Sequence, residues 1–388
     1  MEYVVRRHDL LDFCKRCMVK VGAPVDHAVS LAEVVADADS RGHYSHGLNR
    51  LRFYIKSYQF LNQKEHQEPI VVKESVATAL VDGNNMLGPV VGRFCMNLAM
   101  RKARSTGVGM VSAYRSNHFG IAAHYSMMAM KEGLIGIALC NATPTVVPTR
   151  AKQGVFGTNP ISVAAPANNA DSFVLDMATS TVAFGKVEIK HRLGEPIPEG
   201  WAVDDNGQST TDADTALTSR KLTPLGGHGT DQWLQRLRLA MILKLKINYI
   251  AFVYLCGYKG YGLAMMVEMF SSVLSGSNSS PDVRHPSPQQ ETNLGQCFLA
   301  IDPGAFAPGF EDRMSQMIDH CRGLQPAEGE TEVLVAGDPE RNHTAMCDKR
   351  GGIPYQESQI HYADDIAKEY GVDPMKRNQG STEHDKTS

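Results

Sequence analysis

The sequence predicts an α/β protein with a mixed sheet, and three observations carry that expectation. Apolar residues recur at helical spacing near the amino terminus, short strand-like and helix-like runs alternate from Ile70 onward, and 43% hydrophobic content over 388 residues allows a sizeable buried core. A length prior of about 150 residues per domain suggests two or three domains.

The helical part comes first. Leu10, Leu11, Phe13, Cys14, Cys17, Met18 and Val21 share one helical face, Gly22-Ala23-Pro24 interrupts it, and Ala28, Leu31, Val34, Val35 and Ala38 resume it. This predicts a helical hairpin. It stops at Asp39-Ser40-Arg41-Gly42, and a polar run from His43 to Arg50 precedes another apolar-periodic stretch through Leu51, Tyr54, Ile55 and Tyr58. A histidine-bearing turn therefore joins two helices.

From Ile70 the texture changes. Residues 70–72 and 78–81 read as strands followed by the turn Asp82-Gly83-Asn84-Asn85. Helix is expected over 90–107, strand over 108–114, helix over 121–132 and a buried strand over 134–140. Further strands are expected over 161–165 and 173–176, and an apolar helix over 261–274. The polar tail, 376–388, has little to pack and is expected to be disordered.

Charge narrows the function. The net −3 arises from 39 basic and 42 acidic residues, so there is no electrostatic footprint for nucleic acid or an anionic membrane, and the ligand is expected to be small. Eight cysteines are scattered, and only Cys14 and Cys17 are close, with no second pair to complete a zinc site. Buried, reduced thiols and no metal are the expectation. The first residues, Met-Glu-Tyr-Val-Val-Arg-Arg, hold no apolar stretch of signal-peptide length, which points to the cytoplasm.

Two histidines lie between small polar or glycine residues, in Ser45-His46-Gly47 and Ser116-Asn117-His118-Phe119-Gly120. An imidazole of reference pKa ~6.5 both gives and takes a proton near neutrality, as carbonyl reduction and alcohol oxidation require. Arg50 follows His46 by one turn and suits a substrate carboxylate, which a guanidinium fixes in orientation. No GxGxxG fingerprint follows a strand, so any dinucleotide is held by a different fold. Gly157-Thr158-Asn159-Pro160, Asp176-Met177-Ala178-Thr179-Ser180 and Gly257-Tyr258-Lys259-Gly260-Tyr261-Gly262 are turns able to contact phosphate or ribose.

Taken in order with Asp39-Ser40-Arg41-Gly42, Val81-Asp82-Gly83-Asn84 and Leu87-Gly88-Pro89, these motifs resemble the malate/L-lactate dehydrogenase family, from the first helix to about Gly337. The resemblance implies a non-Rossmann NAD(P)-binding domain, a mainly helical domain formed by both termini, and a homodimer. It implies His46 or His118 as acid/base, and Ser45, Arg50 and Tyr54 at the substrate. It implies Asn141, Asp176, Met177, Ala178, Lys259, Gly260, Gly337 and Asp338 at an NAD or NADP cofactor. Ala336 stands where the family has proline. The expected division is 1–70 helical, 71–300 cofactor-binding, and 301–375 returning to the helical part.

One stretch departs from the family. After Pro224-Leu225-Gly226-Gly227, where relatives continue to the glycine-lysine motif within a few residues, this chain interposes 228–256. Residues 247–256 are apolar apart from Asn248, but the run is shorter than the ~20 residues a membrane span needs. The insert reads as foreign to the fold, a variant exon or translated non-coding sequence. The leading expectation is a hydride transfer on malate and oxaloacetate. Ureidoglycolate, a sugar-derived keto acid, sulfolactate or a cyclic imine acid are alternative substrates, and an inactive dinucleotide-binding or dimerising isoform is the alternative class.

Overall fold

The computed structural model describes residues 2–60, 67–227, 257–284 and 290–379. The insert 228–256 and the tail beyond 379 lie outside the described residues. Elements are numbered here in chain order among those described.

Strand β1 (Glu2–Val5) leads into α1 (Arg7–Lys20) and α2 (Val25–Ser40), the expected hairpin, with its apolar face buried except for the partly buried Leu11 and Val21 at its margin. A 3-10 turn, Leu48–Arg50, runs into α3 (Leu51–Phe60). The sheet region then follows: β2 (Ile70–Glu74), β3 (Thr78–Asp82), α4 (Gly88–Thr106), β4 (Val108–Ser116), α5 (Ala123–Lys131), β5 (Ile135–Cys140), β6 (Ile161–Pro166) and β7 (Ser172–Met177). Pro89 opens α4 where an N–H would be unpaired anyway, and Gly107 closes it in the left-handed region at φ 82°.

A small unit comes next, with α6 (Phe184–Leu193), β8 (Ala202–Val203), β9 (Ser209–Thr210) and α7 (Ala213–Ser219) around its own minicore of Val146, Val187, Ile197, Ala202, Ala216 and Leu222. Helix α8 (Gly257–Glu268) continues into a π-turn over Met269–Val273, slightly earlier than the expected 261–274. Strand β10 (Leu294–Ile301) was not anticipated, yet it is the middle strand of the sheet.

The seven strands lie in the order β2-β3-β4-β10-β5-β6-β7. Only β3 and β4 are parallel, joined by α4, and every other neighbouring pair is antiparallel. That mixture differs from the parallel sheet on which the Rossmann fingerprint sits.

The carboxyl-terminal part adds α9 (Phe310–Arg322), whose Met314 and Ile318 pack with Ala167 and Phe173 beside β7. Helix α10 (Asp338–Lys349), β11 (Ile353–Gln356) and α11 (Glu357–Tyr370) then reach the amino-terminal helices, and β11 pairs with β1. The chain thus covers the sheet edge after residue 301 before it returns to the helices. The tail begins in order: β12 (Asn378–Gln379) pairs with the other edge of β1, because backbone pairing there needs no apolar side chain.

One core joins these parts. Leu31, Val35, Leu51 and Ile55 from the helices share it with Val81, Val111, Phe298 and Ala300 of the sheet and with Tyr355 and Ile366 of the carboxyl-terminal return. Cys14 and Cys17 are buried free thiols within it, and burial pushes Cys17 up to about 12. Among the described residues no helix is long and apolar enough to cross a membrane.

Candidate active site

A cleft of about 200 Å³ opens where three walls meet. His46, Arg50, Phe53 and Tyr54 come from the helices. Asn117, His118, Ala142, Thr145 and Leu294 come from sheet ends and their loops, and Phe184, Glu188 and Arg220 from the minicore unit. The cleft has room for a small acid.

The turn bearing His46 is fixed by a carboxylate that the sequence motif contained without explaining. Asp39, fully buried at the end of α2, accepts the Leu48 N–H at 2.8 Å and the Tyr355 hydroxyl at 2.5 Å. Gly47 lies so close that a Cβ there would overlap the Asp39 carboxylate. Burial pushes this carboxyl up to about 7 against those two donors. The clamp sets the backbone from which Arg50 is also hung, since Arg50 N–H donates to Gly47 O at 2.9 Å.

His118 follows β4 in a loop pinned on both sides. Asn117 Nδ2 donates to Met86 O at 2.8 Å, Gln296 Nε2 of β10 donates to Asn117 O at 3.1 Å, and Gly88 packs where any Cβ would strike the loop backbone. The rings of His46 and His118 stack with centroids 6.0 Å apart and an 18° tilt. The structure thereby brings together two motifs far apart in sequence.

Hydrogen bonds assign a tautomer to His118. Its Nδ1 lies 2.8 Å from the Tyr54 hydroxyl and 3.3 Å from the Gly120 N–H. The backbone N–H can only donate, so Nδ1 accepts, Tyr54 donates to it, and the resting proton sits on Nε2. His46 Nδ1 meets Ser45 Oγ at 2.9 Å, a hydroxyl that donates or accepts equally. Burial lowers His118 to about 3, helped by the charges of His46 and Arg50, and lowers His46 to about 4, helped by Arg50 and His43. Both rings are neutral at pH 7.

Arg50, which lines the cleft, donates its Nε to Ser45 O at 2.9 Å, and among the described residues its terminal nitrogens have only a long 3.8 Å approach from Glu188. Of the three residues expected at the substrate, Arg50 and Tyr54 line the cleft. Ser45 instead supports Arg50 and His46 and borders an adjoining polar cavity.

The residues expected at a dinucleotide fall into two groups. Asp176, Met177 and Ala178 lie at the end of β7, and Gly337 and Asp338 open α10 beside that strand, with the Val174 N–H donating to Ala336 O at 3.0 Å. Asp176 accepts the Ala123 N–H at 3.0 Å, and burial pushes it up to about 6. Asp338 is consumed by the protein: despite burial, which raises its pKa, Arg322, the Val335 N–H and Arg341 hold its carboxyl well below the usual range. Only its backbone remains for a ligand.

The second group is turned elsewhere. The Asn141 amide donates to Glu268 at 3.1 Å and to Asn278 O at 2.9 Å and accepts the Gly295 N–H at 2.9 Å, a buried structural knot. Lys259 is exposed in the first turn of α8, and Gly260 is pressed against Leu225; neither lines the cleft.

Sequence reasoning left out several residues. Arg41 has buried Nε and Nη2 atoms without hydrogen-bond partners among the described residues, and its charge acts on Asp176. Orphan donors beside the end of β7 fit the phosphates or ribose of a dinucleotide. Buried Thr145 Oγ1, Thr292 Oγ1 and Asn117 Oδ1 also lack hydrogen-bond partners among the described residues and belong to cleft-lining residues. Asn117 and Arg41 stood inside motifs already noticed, whereas Thr145 and Thr292 lie in irregular loops with no periodic signal.

A pair of neutral imidazoles beside a guanidinium in one cleft defines an enzyme site suited to a small acid. The chain belongs to the malate/L-lactate dehydrogenase family, whose model matches residues 5–362, and it is accordingly an oxidoreductase of the hydroxy-acid dehydrogenase type. It is 36% identical over 374 residues to malate dehydrogenase of Pyrococcus horikoshii, covering 96% of each chain. It is 34% identical to L-sulfolactate dehydrogenase of Methanocaldococcus jannaschii, covering 91% of this chain and 93% of that one. The crystal structure of malate dehydrogenase from Entamoeba histolytica superimposes with a TM-score of 0.85 at 27% identity, over 96% of this chain and 99% of that one.

Proposed function

We propose that this chain moves a hydride between a nicotinamide dinucleotide, NAD or NADP, and a small 2-hydroxy or 2-oxo carboxylic acid, with malate and oxaloacetate as the pair. The observation that carries the reading is a single cleft of about 200 Å³ holding Arg50 with its terminal nitrogens open, and both His46 and His118. The malate dehydrogenase relatives support the choice of substrate. When bound, the dinucleotide supplies the hydride; Arg41, Asp176, Met177, Ala178, Gly337 and Asp338 are the residues that would hold it.

The chain's own groups do the rest. Arg50 takes the substrate carboxylate, and Glu188, already distant, turns away. Burial does most to keep His118 neutral, with His46 and Arg50 adding to it; the bound anion offsets the Arg50 part and so shifts the ring toward taking up a proton. Its Nε2–H then faces the developing alkoxide, while the Tyr54 oxygen accepts from the newly protonated Nδ1. A hydroxyl serves here because it donates to the neutral ring and accepts from the charged one. Oxidation runs the same transfers backward. His118 is the favoured acid/base because two groups hold its ring, and His46, stacked on it, is the second candidate.

The test is turnover of purified full-length protein with NADH and NADPH against oxaloacetate, pyruvate and phenylpyruvate, beside His46→Ala and His118→Ala. At least one substitution should lower kcat about 100-fold or more. Full activity in both variants would sink the mechanism. A homodimer in the cytoplasm completes the proposal, and light scattering at twice the chain mass is the expected readout of assembly.

A further inference from the structure

We propose that Arg220 reads a second acidic group on the substrate, so that the cleft prefers 2-oxo acids with two anionic ends over monocarboxylates. The proposal rests on the reading of this cleft as a 2-oxo acid site and adds a specificity-determining residue to it.

Arg220 lines the same cavity as Arg50, His46 and His118, but from the opposite structural unit. Arg50 hangs from the turn leading into α3, whereas Arg220 follows α7 in the minicore unit. An acid bound to Arg50 by its first carboxylate therefore meets the second guanidinium on a different wall.

Arg220 is exposed at the cleft and available to a ligand. Its guanidinium has no carboxylate within ion-pair distance among the described residues; it lies over the Phe184 ring, 4.9 Å from the centroid, and Phe184 also lines the cleft. By contrast, Arg115, Arg322 and Arg341 each engage two carboxylates of the protein. Its backbone also sits in the left-handed region at φ 53°, ψ 36°, the position after a helix that glycine ordinarily fills.

The remaining charge at the cleft is Glu188, whose side chain is 41% exposed and 3.8 Å from Arg50. It competes for Arg50, and its removal should help monoanions and dianions alike. Only Arg220 should separate them.

The experiment measures kcat/KM for oxaloacetate and for 2-oxobutyrate, which lacks the second carboxylate, in wild type, Arg220→Gln, Arg220→Lys and Glu188→Gln. The oxaloacetate to 2-oxobutyrate ratio should fall about tenfold or more in Arg220→Gln, recover partly in Arg220→Lys, and stay near wild type in Glu188→Gln. Calorimetry with unreactive succinate and butyrate should show the same selective loss. An unchanged ratio in Arg220→Gln, or equal losses on both acids, overturns the proposal while leaving the dehydrogenase reading intact. A folded wild type that turns over no 2-oxo acid with either cofactor overturns both.

Discussion

Tyr54→Phe tests the proton path at one atom. The substitution removes the hydroxyl 2.8 Å from His118 Nδ1 and leaves that nitrogen only the Gly120 N–H at 3.3 Å. The ring keeps its packing, since Phe fills the space of the buried tyrosine body. A single hydrogen bond is worth about 0.5–1.5 kcal/mol net, which at ~1.4 kcal/mol per decade is a loss of about two- to thirteen-fold in kcat. KM should move little, because Arg50 still holds the carboxylate. His118→Ala should cost about 100-fold or more, and the double variant should match His118→Ala alone, because Tyr54 acts through the imidazole. Steady-state kinetics on the three variants, with thermal melts to confirm folding, measures this. A Tyr54→Phe loss as deep as that of His118→Ala would make the phenol itself the acid, and multiplicative losses in the double variant would separate the two groups; either refutes the reasoning.

Gly47→Ala forces a Cβ into the Asp39 carboxylate, so it should destabilise the fold by about 1–3 kcal/mol in urea titrations and lower turnover by displacing His46 and Arg50. His118 is lowered to about 3 from an unfolded value near 6.5, so its contribution is fully present above pH 6.5 and is lost as pH falls through that window toward 3. Urea unfolding between pH 7 and 4 should therefore show wild type losing stability relative to His118→Gln on acidification; parallel profiles would refute it. Asp39 works in the opposite sense: raised to about 7, its carboxyl contributes stability below about pH 3.8 that fades as pH rises through 7, and Asp39→Asn should flatten that loss in urea titrations across the same window. The described ends of the insert adjoin, since a Cβ on Gly257 would collide with the Gly227 carbonyl. Replacing residues 228–256 by a short glycine–serine linker should preserve the circular dichroism spectrum and turnover, and a collapsed fold would show that the stretch is needed.

Local pattern was enough for the helical hairpin and most strands, and it singled out His46, Arg50 and His118 as candidates; Tyr54 entered only through the family resemblance. Helical period and turn chemistry are properties of neighbouring residues, and each of these signals is complete within a few positions. Family membership was legible for the same reason, because the motifs keep their order along the chain. Tertiary structure alone decided which distant pieces meet. Strand β10 lies centrally between β4 and β5 although nothing in Leu294–Ile301 names its partners. The Asn141 amide and the Asp338 carboxylate, both expected at the cofactor, are spent on Glu268 and on two arginines, while Thr145, Thr292 and Arg220 take positions that no motif marked. A sequence specifies which side chains seek burial or a partner, but the partner is chosen by strand register and by contacts between remote segments, and those exist only once the chain has closed around its core.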